Sequence, residues 1–189
     1  MKFSEHVINL LLIIIAVGMT ELIIGTARLF KEYDRIKFYL PAANIIIFFF
    51  MYYLLAFFDS YFLLVNVKQV TLADIIAVGY PPLASVYVSY FIFPKVPDEG
   101  VIDLKGNFSK YSTIGPILGM SIALFRVVRN VGFYHESLFL WVNAVEAMFI
   151  PMFFLGLFKK DDLNQTIGTS LLLAVMLLLI YLYSLKWLG

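Results

Sequence analysis

The chain has 189 residues, 62% of them hydrophobic and 14% charged, with a formal net charge of +1. Soluble domains are nearer half apolar and a quarter charged, so this composition excludes an ordinary soluble globule, and the length leaves room for about six apolar spans of ~20 residues. The near-neutral balance implies no nucleic-acid partner, and a chain without cysteine has no disulfide, thiolate metal site or cysteine nucleophile.

Six apolar runs are read in chain order as an all-α integral membrane bundle of six transmembrane helices, one domain over residues 1–189. The first span is placed at 7–30. Gly18, Glu21, Gly25 and Arg28 recur on it at i, i+3, i+7 and i+10, one small-and-polar stripe. Ala16-Val17-Gly18 could imitate a signal-peptide cleavage site. The run stays apolar to Leu29 and contains Glu21, so an uncleaved span is expected. After "KEYDRIK" the second span covers 38–65, rich in Phe and Tyr, with Asp59 near its far end.

The third span covers 72–93, where Asp74, Pro81, Ser85 and Ser89 share a face. Asp74 is placed to favour the first turn electrostatically. Pro81 and Pro82 each remove a backbone donor, so a kink or break is expected there, relieved by nearby hydroxyls or water. A long polar loop, 95–112, follows. Its "VIDL" alternates apolar and polar and is expected to lie on the membrane surface or to serve as a connector.

The fourth span, 112–133, carries Gly115, Gly119, Ile122, Arg126 and Arg129 along one stripe. The glycine pair has the G-x-x-x-G spacing of close helix approach, read as packing within the bundle rather than as a dimer face. The fifth span, 137–158, places Asn143 and Glu146 on one face, with Pro151 further on as a third helix-breaking proline. "KKDD" then leads into the sixth span, 166–185, polar only at Thr166, Thr169 and Ser170; the remainder is expected to be peripheral and lipid-facing.

Basic residues in short loops stay cytoplasmic. Arg28, Lys31, Arg35, Lys37, Lys95, Lys105, Lys110, Lys159 and Lys160 gather at one face of a six-span bundle, against Lys2, Lys68 and Lys186 at the other. Both termini are therefore expected outside and the charged loops inside a cell membrane.

A charge at a helix centre costs roughly 2.5–3.5 kcal/mol on insertion scales, so charges inside spans face protein or water. The candidate network is Glu21, Arg28, Asp59, Asp74, Arg126, Arg129, Asn143 and Glu146. Its members are expected to meet in one interior, with Glu21 and Glu146, the deepest acids, as the expected proton carriers. The charge set supports two functions: proton, ion or small-solute transport, or a scaffold or accessory subunit whose buried pairs fix helix register. The expected partners are the lipid bilayer and, for an assembly, a second copy or other membrane subunits. No cofactor, metal site or catalytic residue is implied. "HESLF" has Phe139 where a zinc-protease motif needs a second histidine, and "GMSIA" lacks the last glycine of a nucleophile elbow.

"GMTELIIGTARL" (18–29), "FPKVPDEGVIDLKGNFSKY" (93–111) and the Pro81-Pro82 pair resemble an uncharacterised family of small bacterial multi-pass membrane proteins. The resemblance implies a bacterial inner-membrane location and no activity, ligand or catalytic residue. A reporter fused after Gly189 is expected to be active outside the cytoplasm, and a cytoplasmic signal would reverse this topology.

Overall fold

The computed structural model describes residues 3–66, 72–110, 112, 114–133, 141–158 and 161–188. It is all-helical apart from one short pair of strands. The helices are α1 (Phe3–Lys31), α2 (Leu40–Asn66), α3 (Leu72–Ile92), α4 (Leu104–Lys110), α5 (Ile114–Val128), α6 (Trp141–Phe158) and α7 (Asp162–Leu188). A π-helical turn, Arg129–Phe133, continues α5. Four helical stretches are long and apolar enough to cross a membrane: His6–Lys31, Leu40–Phe58, Ile114–Val131 and Asp162–Ser184. This supports membrane association.

The long helices close a ring. α2 packs on α3 and α7, α3 on α5, α5 on α6, and α6 on α7, while α1 lies against α2 and α3. The Phe- and Tyr-rich sequence of α2 makes it the aromatic centre. Phe48 meets Phe149 and Phe153 of α6 edge-to-face at 5.5 and 5.6 Å, the offset geometry that ring quadrupoles favour. Phe49, Tyr52 and Tyr53 are buried beside it.

This packing corrects the expectation that the last span is peripheral. Leu172, Met176, Leu179 and Tyr183 line a buried face of α7 at helical spacing. The flanking helix is α1, with 28% of its apolar window buried against 56% for α2. A Leu-rich run reads the same facing lipid or facing aromatic side chains, so composition could not separate the two. Of the kink or break expected in the third span, the break does not occur, because α3 runs continuously through Pro81 and Pro82. Packing against α1, α2 and α5 holds the turn that the two missing donors leave. Just beyond it, Ser85 Oγ donates to the Pro81 carbonyl at 2.7 Å and Ser89 Oγ to the Ser85 carbonyl at 2.9 Å. Pro151 likewise lies within an unbroken α6.

The loop after α3 is a built connector. Ile102 and Asp103 (β2) pair in parallel with Ile36 and Lys37 (β1), and Ile102 is 1% exposed, so "VIDL" is tied into the protein rather than laid flat on a surface. Arg35 holds the loop by donating to the carbonyls of Gly100 (2.9 Å) and Pro97 (2.8 Å). Gly100, at φ 94°, occupies backbone space that other residues rarely adopt. Asn107 Nδ2 donates to the Ile92 carbonyl at 2.9 Å, satisfying an acceptor at the end of α3. On α7, Asp161 Oδ1 accepts from the Asn164 amide at 2.8 Å, an N-cap that starts the helix four residues before the expected 166.

The same end is clamped across elements. Lys105 pairs with Asp162 at 2.6 Å, and the Tyr39 hydroxyl donates to Gln165. Burial and then the nearby Asp162 push the Tyr39 phenol up to about 12, so it remains a neutral donor at ordinary pH.

Glycines set the closest helix approaches. A Cβ on Gly18 would run into the Tyr53 hydroxyl, and one on Gly25 into the Phe93 ring. In the G-x-x-x-G pair the two positions differ. A Cβ at Gly119 would lie 2.5 Å from Phe153 of α6, whereas nothing lies within 4 Å of one at Gly115. Gly119→Ala is therefore expected to destabilise the protein by about 1–3 kcal/mol through overpacking. Gly115→Ala should be neutral or gain a few tenths of a kcal/mol from helix propensity. Thermal or denaturant unfolding in detergent measures both, and equal costs at the two positions would reject this asymmetry.

Candidate functional site

Helical spacing brings one polar cluster together from three helices. Arg126, Arg129 and Asn130 share a face of α5 and its π-helical continuation, at i, i+3 and i+4. Asn143 and Glu146 share a face of α6, and Tyr183 arrives from α7. π-helical turns recur at functional positions, and this one begins at Arg129.

The geometry is that of a closed network. Arg126 places Nε at 2.8 Å and Nη2 at 2.7 Å from Glu146 Oε1. The Tyr183 hydroxyl accepts from Arg126 Nη2 and donates to Glu146 Oε1, both at 3.2 Å. Glu146 Oε2 accepts from Asn130 Nδ2 at 3.1 Å, and the same amide donates to Asn143 Oδ1 at 2.8 Å. Asn130 Oδ1 accepts from Arg129 Nε at 3.0 Å and Nη2 at 2.8 Å. Exposure is 4% at Arg126, 3% at Arg129, 4% at Asn130, and 0% at Asn143 and Glu146. The Tyr52 and Tyr183 rings lie 5.9 and 6.0 Å from the Arg126 guanidinium carbon, within cation–π reach. The adjoining void, lined by Arg126, Glu146 and otherwise apolar side chains, has a volume of about 20 Å³, room for about one water.

Of the expected network, the structure unites Arg126, Arg129, Asn143 and Glu146. Glu21 and Arg28 face a different space, which corrects the expectation of a single polar interior: α1 flanks the ring, so its stripe cannot reach the α5–α6 seam. The side chains of Asp59 and Asp74 lie outside the described residues, as does the whole of "HESLF" with His135. His6 is exposed. No cluster of metal-ligating side chains occurs among the described residues. Ser121 is engaged with the Leu118 carbonyl and the Tyr80 hydroxyl, each at 2.7 Å.

Two members escaped the sequence reading. Asn130 was legible, since it stands four residues after Arg126 on the same stripe. Tyr183 was not, because an aromatic near the end of a Leu-rich span fits a membrane interface equally well. Asn44 was also missed. It is buried in α2 and donates to Thr169 and Ser170 of α7 at 3.2 and 3.1 Å.

The second polar space is open. A cavity of about 600 Å³ lies between the C-terminal half of α1, the end of α3, and α4. Glu21, Arg28, Lys95, Lys110, Ser89 and Asn107 supply its polar lining, and Tyr90, Phe91 and Phe93 its aromatic walls. Glu21 is half-buried, and among the described residues nothing hydrogen-bonds or pairs with its carboxylate.

No family model matches the chain, and neither does any curated protein or solved structure.

The closed network makes its members unequal in a measurable way. Tyr183→Phe removes a hydroxyl bonded to both charges and is expected to cost about 1.5–3 kcal/mol. Tyr52→Phe should cost less, because among the described residues the buried Tyr52 hydroxyl makes no hydrogen bond of normal geometry, with Ser85 and Arg126 only near it. Unfolding of the two variants side by side checks this, and a larger loss for Tyr52→Phe would contradict the network.

Proposed function

We propose that the protein is a six-span integral membrane protein of the bacterial inner membrane, with both termini outside. It moves a proton, ion or small solute, and the cavity at Glu21 is its cytoplasmic loading site. The four long apolar stretches support the span count, together with α3 (21 residues) and α6 (18 residues), each about 27 Å or longer. The charged loops at the cavity mouth support its cytoplasmic side through the positive-inside bias.

The observation that carries the reading is Glu21 itself. It lies ten residues, or about 15 Å, inside the end of α1, lining a cavity with no partner among the described residues. A lone carboxylate at that depth is tolerated where water or a bound species meets it, and such positions mark ion and substrate paths.

The scaffold reading has its own support. Arg126 and Glu146 are sealed, hydrogen-bonded on several sides and remote from the cavity lining, as expected for a pair that fixes register. The two readings are compatible within one molecule: the pair frames the bundle, and the cavity does the work.

Proteoliposome flux under imposed proton, sodium and potassium gradients tests the assignment. Glu21→Gln should abolish flux at unchanged melting temperature. Glu146→Gln should instead lower stability by about 3–5 kcal/mol, because Arg126 stays buried without its counter-charge. A wild-type protein that carries no flux under any gradient would leave the scaffold reading in place.

A further inference from the structure

The charges around the open cavity are ordered by depth. Arg28 is in the last turn of α1, Lys95 follows α3, and Lys110 ends α4, so the three cations stand at the loop end. Glu21 lies seven residues back along α1 from Arg28, about 10 Å deeper. Three cations toward the loop end and, deeper along α1, a carboxylate with no partner among the described residues make a dipolar lining, to which Tyr90, Phe91 and Phe93 add aromatic surface.

We infer that this cavity binds a water-soluble zwitterion whose ammonium and anionic groups are separated by an apolar spacer. The ammonium enters first and meets Glu21, and the carboxylate or phosphate stays at Arg28 and Lys95. Charge-assisted hydrogen bonds at both ends supply the affinity, and the aromatic walls cover the spacer. An α-amino acid is too short, since both of its charges flank one carbon. A leaflet phospholipid has the opposite polarity. Its ammonium or hydroxyl points to water, and its ester and acyl groups would face Glu21, leaving the carboxylate without a donor. The inference rests on the cavity being the loading site and specifies what it loads.

Thermal unfolding and calorimetric titration of the intact chain in lipid nanodiscs test it with ε-aminocaproate, against caproate and n-hexylamine as single-charge probes. The expected result is that the zwitterion binds and raises the midpoint, and that neither single-charge probe does so at equal concentration. Glu21→Gln and Arg28→Gln should each weaken binding by about tenfold or more. Both side chains are half-buried or exposed, so their unliganded midpoints should match wild type, while His6→Gln, on an exposed surface, should bind normally. Caproate binding as tightly as the zwitterion, or binding insensitive to Glu21→Gln, would overturn the inference. A midpoint raised by phosphatidylglycerol in the nanodisc and by no soluble probe would overturn it in favour of a lipid. No zwitterion binding alongside Glu21-dependent ion flux would defeat the ligand class alone. Loss of both would defeat the loading site as well.

Discussion

A guanidinium keeps its proton at any working pH, so Arg126 carries a full charge into the centre of an apolar bundle. The arrangement around it follows from that constraint. Glu146 supplies the counter-charge, Tyr183 ties both charged groups together, and Asn130 takes the remaining carboxylate oxygen. These groups come from α5, α6 and α7, and Tyr52 of α2 lies beside the guanidinium, so four helices are held in one register by a single charge. Bringing two ions out of water costs several kcal/mol each, which their attraction recovers only in good geometry with further hydrogen bonds. Such a pair therefore adds little net stability, although removal of one partner is costly. The aromatic contacts of α2 with α6 supply apolar burial around it.

The two polar spaces differ in closure. Around Arg126 the adjoining void holds about one water and the charged groups are almost inaccessible. Around Glu21 the space is about thirtyfold larger by the ratio of the two volumes, 600 against 20 Å³, and Arg28, Lys95 and Lys110 are part of its lining. A satisfied pair has little free energy left to offer a ligand. An unpartnered carboxylate facing cations across a cavity does.

The loop region gives that cavity a fixed wall. Arg35 holds the Pro97–Gly100 turn, the short parallel strands tie the loop to the exit of α1, and Asn107 finishes α3. Close contacts at Gly18 and Gly25 bring α1 against Tyr53 and Phe93, so Glu21, between the two glycines on the stripe, is directed at the space beneath them.

Composition and run length determined the class: too apolar for a soluble domain, with helices long enough to cross a membrane. Helical spacing determined the faces. Arg126 with Arg129, and Asn143 with Glu146, were paired correctly on their own helices because a 3.6-residue period is local. Which faces meet is a matter between helices, and spacing carries no information about it. Only the tertiary structure put Tyr183 into the cluster, kept α3 unbroken at its prolines and moved α1 to the flank, away from the arginines. In each case the deciding term was packing against a neighbour distant in sequence, and a Leu, Pro or Tyr reads the same along the chain whether that neighbour is protein or lipid.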